Sequence, residues 1–441
     1  MDHSKNYESK FITEEQAASF VKSGDQVVFT SGREAQSVGL AIAARKEELE
    51  GVRVLVSTPT FDFGWYDDGW SDAFEVTVRM PTETCQEAID ARRVDFDPGG
   101  VIPFVEIGDL YQADVLLTEV SPPDKNGFCS FGASVWAKKR QISCAKLVIA
   151  EVNDKLIRTY GDNFVHVSEI DHFVEHQSFG GGGPGGGSLA GRALKEPEPY
   201  LHAIKDNVAS LLRDGDTVQI GVGRTTEPLV KLGLFDGRND LGWHSEATPP
   251  GIIPLVREGV INGSRKTINQ CKVVVTSIGG SSRDEMQWVD QNPMFHLIDV
   301  ADLEDIRSIA AHDNFVALNN ALAVDLMGQA TAETIENRWL AQAGGQLAFA
   351  LGALFSKGGR SILVLPSTAK QGSVSRIQPS LAQGTVTTLT RNMSDYVVTE
   401  FGVASLRGKS LRQRALALIE IAHPDFRDEL RREAKKMLWP R

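Results

Sequence analysis

The chain has 441 residues, 41% hydrophobic and 24% charged, which is the composition of an ordinary globular protein with two or three domains. Its 46 basic and 58 acidic residues give a net charge of −12, which disfavours nucleic-acid or anionic-membrane partners because both need a basic surface. No stretch reaches the about 18 uninterrupted apolar residues of a membrane span. The first residues lack the apolar segment of a secretory signal. We therefore expect a cytoplasmic protein.

An internal repeat relates residues 17–33 to residues 208–224, which are identical at seven of 17 positions. Each copy predicts a helix, a Gly-Asp turn, a strand, and a glycine loop that opens a second helix. A second strand is predicted after each copy, in GVRVLVSTP from Gly51 and in LGWHSEATP from Leu241. We interpret the chain as two halves built on one plan. The alternative is a chance similarity between two common strand–turn–helix units.

Further short runs of β-branched or apolar residues predict strands in both halves. They are residues 114–119 and 146–151 in the first half, and 272–277, 315–319, 361–366 and 396–399 in the second. Helical or loop-rich segments separate most of them, which favours α/β domains with mainly parallel sheets. Ligands of such sheets gather at the carboxyl ends of strands, where Gly32, Gly223 and Glu246 would lie.

A glycine-rich run at 179–189 contains seven glycines and one proline within nine residues. Such a run forms neither a helix nor a core strand, so it is either a flexible linker or a mobile flap over a cleft. It fails as a P-loop because no Gly-Lys-Ser/Thr follows. The predicted domains are residues 1–178 and 191–441, with the linker or flap at 179–190.

The four cysteines, Cys85, Cys129, Cys144 and Cys271, form neither a C-x-x-C pair nor a metal-ligand spacing. So few cysteines in a long chain are typical of a reducing compartment. Cys144 and Cys271 adjoin apolar runs, so we predict that both are core residues.

The histidines at 166, 172 and 176 give no clear metal constellation. His172 and His176 could share a helix face, but Asp171 and Glu175 surround them, so the pattern favours a solvated face over a metal site. Gly-x-Ser-x-Gly is absent from the sequence, which disfavours a serine hydrolase of the elbow type.

Three segments are candidates for chemistry. Residues 221–227 follow a strand and open a helix, so their N–H groups could bind an anion or an oxyanion, although the third glycine of a dinucleotide fingerprint is missing. Glu246 ends the next predicted strand and could be a nucleophile, a general base or a helix cap. Residues 343–379 combine glycines, hydroxyls and cations, which suits a long acyl-CoA but also fits turns and surface.

Five stretches spread over most of the chain carry a family resemblance. They are VSPPDKNGFCSFGASV from Val120; IAEVND from Ile149 with RTYGDNFVHVSEID from Arg158; NNALAVDLMGQ from Asn319; GGQ from Gly344 with SKGGRSILVLPSTA from Ser356; and VTEFGVASLRGKSLRQRA from Val398. Together they resemble the acetyl-CoA hydrolase/transferase family, and within it the 4-hydroxybutyrate and butyrate CoA-transferases.

This resemblance implies two similar open α/β domains, in agreement with the repeat. It implies that the family's nucleophilic glutamate, which follows a His-Ser/Thr pair at a strand end, falls on Glu246. The implied contacts to CoA are Gly223, Arg224, Thr225, Thr226, Glu227, Asn320, Ala321, Gly344 and Gly345, with a looser assignment of Lys370 to the phosphates. Acyl-CoA and a small carboxylic acid are then the substrates, with no permanently bound cofactor or metal. The likeness also suggests a homodimer.

The acyl substrate is expected to contact the first half, around Ser31, Gly32 and Arg33. Arg33 could pair with a substrate carboxylate, with Glu34 or with solvent. The aromatic segment 61–70 could line a pocket for a bulky acyl group or pack on the core.

The implied reaction moves CoA between carboxylic acids by a ping-pong route through a thioester on Glu246. After the glutamate the family usually continues with a Met and an Asp-Gly turn, whereas residues 247–251 here are Ala-Thr-Pro-Pro-Gly. An acyl-CoA hydrolase on the same scaffold is one alternative, because these altered residues could admit water. A catalytically silent CoA-binding protein is another, which the retention of Glu246 disfavours. A nucleotide-binding dehydrogenase is disfavoured by the incomplete glycine fingerprint.

Overall fold

The computed structural model describes residues 3–99, 112–177, 198–279 and 281–440. The chain divides into two compact units, of which the first comprises residues 1–192 with 275–302 and the second residues 193–274 with 303–441. Each unit contains a mainly parallel sheet with helices, which confirms the predicted α/β fold class. The glycine-rich run at 179–190 lies outside the described residues.

The described helices are mostly short. In chain order they are α1 (His3–Glu8), α2 (Glu14–Ser19), α3 (Gln36–Ala43), α4 (Gln86–Asp90), α5 (Lys138–Cys144), α6 (Tyr200–Ala209), α7 (Thr226–Lys231), α8 (Ile252–Arg257), α9 (Arg283–Val289), α10 (Val300–Leu303), α11 (Ile306–Ala310), α12 (Gln346–Phe355), α13 (Leu411–Glu420) and α14 (Pro424–Leu438). Capping boxes fix some of their starts: Thr13 caps the N-terminus of α2 and Ser410 that of α13, each with a glutamine three residues on.

The described strands range from two to seven residues. In chain order they are β1 (Gln26–Phe29), β2 (Val52–Val56), β3 (Phe74–Val78), β4 (Asp95–Phe96), β5 (Val115–Val120), β6 (Phe128–Ser130), β7 (Val148–Val152), β8 (Tyr160–Gly161), β9 (Phe164–His166), β10 (His172–Glu175), β11 (Thr217–Ile220), β12 (Gly242–Thr248), β13 (Val273–Ile278), β14 (Phe295–Leu297), β15 (Phe315–Asn320), β16 (Ala323–Asp325), β17 (Ala330–Thr331), β18 (Thr334–Ile335), β19 (Arg338–Trp339), β20 (Arg360–Val364), β21 (Thr368–Ala369), β22 (Val374–Ser375), β23 (Ile377–Gln378), β24 (Tyr396–Thr399) and β25 (Gly402–Ser405). Each strand predicted from the sequence is present.

The first unit contains a seven-stranded sheet in the order β10-β7-β5-β1-β2-β3-β4. Its neighbouring strands run parallel. β5 reads Val-Leu-Leu-Thr-Glu-Val and is buried along its whole length, as expected for a central strand of a parallel sheet covered on both faces.

In the second unit, six strands of the larger sheet follow the order β25-β24-β20-β15-β11-β12. The pairs β20–β24, β15–β20, β11–β15 and β11–β12 are parallel, whereas β24–β25 is antiparallel. The partial order β15-β11-β12 repeats the order β5-β1-β2 of the first unit. β1 and β11 are followed by α3 and α7, so the two halves share the predicted plan.

The units differ in one respect from a simple division at the glycine-rich run, because residues 275–302 group with the first unit. Hydrogen bonds explain this placement. The backbone N–H of Val135 donates to the carbonyl of Thr276, and β14 pairs in parallel with β8 at His296 and Tyr160. Such pairings join segments that are distant in the sequence, so composition along the chain does not reveal them.

The prediction for two cysteines is wrong. Cys271 is exposed in a turn with a φ of +58°, and Cys144 is partly exposed at the end of α5, whereas Cys85 and Cys129 are buried. The apolar runs beside Cys271 and Cys144 begin one or more residues later, in β13 and β7.

Within the described residues, every helix is too short or too polar to cross a membrane.

Candidate active site

Glu246 lies near the carboxyl end of β12. This strand pairs with β11 through Gly242 and Trp243, so Glu246 lies beyond the residues paired with β11, and it is partly exposed. The carboxyl ends of parallel strands are where ligands of such sheets bind. Glu246 thus occupies the strand-end position expected from the sequence, and its role as the nucleophile stays a prediction.

Two glycines approach the Glu246 carboxylate. The backbone N–H of Gly345 donates to Oε2 of Glu246 over 3.3 Å. Gly344 has a φ of +52°, which favours glycine, and a side chain there would begin 3.8 Å from Oε1 of Glu246. The tight turn that opens α12 therefore aims a peptide N–H at the carboxylate, where it could also stabilise an oxyanion.

A second carboxyl group, that of Glu304, reaches the same place. A Cβ atom at position 345 would lie 2.7 Å from Oε2 of Glu246 and 2.8 Å from Oε1 of Glu304, so both carboxyls converge on Gly345. A side-chain hydrogen bond joins the two carboxyls. Sequence reasoning missed Glu304, because it stands in the acidic segment 299–305, which is typical of a solvent-exposed surface.

The two carboxyls shift each other's pKa. Burial raises the pKa of Glu246, whereas hydrogen bonds from Glu304 and from the Gly345 N–H act to lower it. Burial and the negative charge of Glu246 raise the pKa of Glu304 well above its usual range. Because two adjacent carboxylates repel each other, these shifts favour the proton on Glu304 and the ionised form on Glu246. The ionised carboxylate is the nucleophilic form.

His244 anchors the backbone next to Glu304. It lies two residues before Glu246 on the same face of β12, and its Nε2–H donates to the carbonyl of Leu303 over 2.8 Å. Its ring lies 5.1 Å from that of His312, and both residues are buried. Burial lowers the pKa of His244 to about 3 and that of His312 to about 2, so both rings are neutral.

Lys266 contributes a buried amine to the same region. Its Nζ donates to the carbonyls of Trp243 and Lys272, each over 3.0 Å. Burial lowers the pKa of Lys266 to about 7, and the charge of Lys266 further lowers the pKa of His244 and of His312. Lys266 therefore anchors backbone around β12.

Asn320, at the end of β15, holds the glycine loop after β11. Its Oδ1 accepts from the backbone N–H groups of Thr225 and Thr226 over 3.3 and 3.2 Å. Its Nδ2 donates to the carbonyl of Val222 and to Oγ1 of Thr226. A side chain at Gly223 would collide with the Asn320 amide, which explains the glycine. Asn320 thus shapes the loop that the sequence assigns to CoA.

The other predicted CoA contacts are distributed around these elements. Glu227 accepts from the N–H of Gly223 over 3.2 Å, and Ala321 is buried. Arg224 and Lys370 are exposed, and Lys370 lies in the turn between β21 and β22. Contact of these residues with CoA stays a prediction.

In the first unit, Arg33 follows β1 and has a buried acidic partner. Its Nε lies 3.8 Å from Oε1 of Glu119. Of the three alternatives considered for Arg33, the structure does not favour Glu34, because Glu34 is buried and accepts hydrogen bonds from the backbone and side chain of Thr60. Gly32 has a φ of +118°, a conformation that requires glycine.

The aromatic segment 61–70 packs partly into the core of the first unit. Phe63, Trp65 and Tyr66 are buried. The Phe63 ring lies 5.5 Å from that of Phe29, and the Trp65 ring lies 5.7 Å from that of Phe74. For these three side chains, the interpretation as a packed aromatic loop is confirmed.

The prediction of a solvated face is wrong for His176. Residues His172–Glu175 form strand β10 beside β7, not a helix, and this pairing brings His176 to Glu151. Nδ1 of His176 lies 3.1 Å from Oε2 of Glu151 and 3.6 Å from Oε1 of Glu119. No cluster of three or more metal-ligating side chains occurs among the described residues.

Comparison with known proteins follows the division into two halves. The model of the acetyl-CoA hydrolase/transferase N-terminal domain matches residues 1–180, and that of the C-terminal domain matches residues 281–434. The chain is 38% identical to the 4-hydroxybutyrate coenzyme A transferase of Clostridium kluyveri, over 99% of this chain and 100% of that protein.

It is also 35% identical to the succinyl-CoA:cyclohexane-1-carboxylate CoA transferase of Geobacter metallireducens, over 99% of this chain and 97% of that protein. Among solved structures, RipA from Yersinia pestis matches with a TM-score of 0.88 and 31% identity over 99% of both chains.

The fold and the full-length similarity define an α/β enzyme of the CoA-transferase type. The chain belongs to the acetyl-CoA hydrolase/transferase family and is an acyl-CoA:carboxylate CoA-transferase.

Proposed function

We propose that this enzyme moves CoA from an acyl-CoA to a carboxylic acid by a ping-pong route in which Glu246 carries CoA as a thioester. The observation that supports this route is the hydrogen bond from the Gly345 N–H to the strand-end carboxylate of Glu246 at 3.3 Å. A nucleophile and an oxyanion donor are thereby held side by side, as acyl transfer requires.

In the first half-reaction, an oxygen of Glu246 attacks the thioester carbonyl of the acyl-CoA. The tetrahedral oxyanion collapses as the carbon–sulfur bond breaks, which gives an acyl–glutamyl anhydride and the CoA thiolate. The thiolate then attacks the glutamyl carbonyl, so that the enzyme carries CoA and the first acid leaves as its carboxylate. A second acid reverses these steps and leaves as the new acyl-CoA, which conserves the energy of the thioester.

The structure favours Gly345 over Gly223 as the oxyanion donor. The N–H of Gly345 already points at the Glu246 carboxylate, where charge changes during the reaction. The N–H of Gly223 instead donates to Oε1 of Glu227. We therefore assign the oxyanion to Gly345 and the glycine loop at 221–227 to the binding of CoA.

The acid pair is proposed by likeness alone. The relatives' names refer to 4-hydroxybutyrate, butyrate, succinate and cyclohexane-1-carboxylate, so small carboxylic acids of this kind are the substrates to test first. Ser31, Gly32 and Arg33 remain the proposed contacts of the acyl group. A cytoplasmic location and a homodimer remain predictions from the sequence.

Isotope exchange tests this function without knowledge of the second acid. A ping-pong enzyme exchanges labelled free acid into the matching acyl-CoA when no other acid is present, because the enzyme–CoA thioester returns CoA to the acid. When a second acid is added, double-reciprocal plots of rate against acyl-CoA concentration, at several fixed concentrations of that acid, are parallel. A hydrolase instead releases free CoA without exchange, and that result across a panel of small acyl-CoAs would contradict the proposal.

A further inference from the structure

Glu304 is a second carboxyl group beside Glu246 for which the reaction above has no role. It is 8% exposed, and its Oε1 shares with Oε2 of Glu246 the space that a side chain at Gly345 would fill. A buried carboxyl beside a carboxylate is unfavourable for folding unless the two share a proton. The Glu304 carboxyl is therefore an acid next to the proposed nucleophile.

The backbone on both sides of Glu304 is anchored. The carbonyl of Leu303 accepts from Nε2–H of His244 over 2.8 Å. Oδ1 of Asp305 accepts from the N–H of Arg307 over 2.8 Å and so caps α11. These contacts anchor the backbone from which the Glu304 side chain extends, which favours the fixed geometry that proton exchange with a reacting atom requires.

The ionisable groups near Glu246 and Glu304 do not provide another site for the proton of the pair. His244 and His312, which lie in adjoining elements, are neutral, and the charge of Lys266 is directed to two backbone carbonyls. Among the ionisable groups, the one that shifts the pKa of each carboxyl is the other carboxyl.

We propose that Glu304 is a catalytic acid and base that protonates the sulfur of CoA when it leaves and deprotonates it when it returns, an inference that rests on the proposed route through Glu246. As the carbon–sulfur bond breaks, the Glu304 O–H bond breaks and its proton joins the thiolate. The products are the anhydride, the CoA thiol and the Glu304 carboxylate. When the sulfur attacks the glutamyl carbonyl, its proton returns to Glu304 and the first acid leaves as an anion.

The timing follows from the charge on Glu246. Before the reaction, that charge raises the pKa of Glu304 and holds the proton in place. Acylation neutralises Glu246 and removes this contribution, so Glu304 becomes a stronger acid as the thiolate forms. A thiol has an ordinary pKa of about 8.5, so a thiolate is a suitable acceptor for that proton.

The test is the pH dependence of kcat/KM for acyl-CoA in the wild type and in Glu304→Gln. The wild type should show a bell-shaped profile, whose acid limb reports ionisation of the pair and whose alkaline limb reports loss of the Glu304 proton. Glu304→Gln keeps a hydrogen-bond donor but no acid. We expect it to lose the alkaline limb and to lower the maximum about 100-fold.

Two further variants distinguish the loss of the acidic proton from a change in side-chain packing. Glu304→Asp keeps an acid, so its alkaline limb should persist, with a smaller loss of rate. Glu333→Gln is the matched control: Glu333 is also buried and accepts from Oγ1 of Thr388 over 2.6 Å, and its loss should leave the profile unchanged.

An unchanged alkaline limb in Glu304→Gln, or its loss in Glu304→Asp, would overturn the assignment of Glu304 even while a CoA adduct still forms on Glu246. Absence of that adduct in the wild type would instead overturn the route through Glu246, and the role of Glu304 with it.

Discussion

The backbone N–H of Gly345 donates to Oε2 of Glu246 across a sequence separation of 99 residues. The turn that opens α12 thus orients the candidate nucleophile at the end of β12. Gly345 has a φ of −75°, which any residue adopts, so the glycine is required by space and not by backbone conformation.

Gly345→Ala should lower kcat/KM about 100-fold or more. The added methyl would lie within 2.8 Å of Glu246, Glu304 and Phe349, so one or more of these side chains must move. Steady-state kinetics measures kcat/KM, and thermal unfolding measures the stability of each variant. Gly51→Ala is the control, because Gly51 has a φ of +60° and open space around its Cβ, and should cost about 1 kcal/mol of stability with no loss of kcat/KM. Equal activity in both variants would contradict the role of Gly345.

Asn320→Ala should raise the KM for acyl-CoA about 10-fold and lower the free energy of unfolding by about 1–3 kcal/mol. The amide satisfies the N–H groups of Thr225 and Thr226 and the carbonyl of Val222, and its removal leaves them unpaired. Kinetics and urea titration measure the two effects. Asn262→Ala removes an amide from a turn and should leave the KM unchanged. A wild-type KM in Asn320→Ala would show that the loop does not bind CoA.

His312→Phe should reduce the loss of stability in acid. The ring of His312 is buried and its pKa falls to about 2 in the folded chain, against 6.5 in the unfolded chain. Between these values only the unfolded state binds the proton, so His312 destabilises the fold as the pH drops below 6.5, by about 1.4 kcal/mol per unit.

Urea unfolding at pH 7 and pH 5 should therefore show a loss about 2 kcal/mol smaller in His312→Phe than in the wild type. His202→Gln replaces an exposed histidine and should keep the wild-type loss. Equal losses in His312→Phe and the wild type would show that His312 is protonated in the folded state.

His176→Ala should lower the free energy of unfolding by about 2–3 kcal/mol. His176 is the partner of Glu151, a carboxyl that also accepts from the N–H of Val38 over 2.9 Å, and its loss leaves one oxygen of Glu151 unpaired. Urea titration measures the change. His166→Ala, at the end of β9, removes a hydrogen bond to the Ser168 hydroxyl and should cost about 1 kcal/mol or less. A His176→Ala variant no less stable than His166→Ala would contradict the buried pair.

The strands could be predicted from the sequence because buried parallel strands are uninterrupted apolar runs, as in 315–319 and 396–399. The repeat predicted the shared plan of the two halves, and the strand-end position of Glu246 followed from the strand that contains it. These features depend on neighbours along the chain.

The features that were missed depend on contacts between distant segments. Glu304 stands among acidic residues and meets Glu246 only because residues 303–304 lie beside β12. His176 meets Glu151 because β10 pairs with β7, and Cys271 is exposed because it precedes β13. Local composition carries no signal for such pairings, so a single sequence does not distinguish a buried polar residue from a solvated one.

The most direct test of the central claim is the intact mass of the enzyme after incubation with butyryl-CoA and 4-hydroxybutyryl-CoA, with and without borohydride. The account predicts a CoA-sized adduct on the wild type and on Glu333→Gln that maps to Glu246, is removed by borohydride reduction, and is absent from Glu246→Gln. Turnover of acyl-CoA by the wild type with no adduct, or an adduct that persists in Glu246→Gln, would contradict it.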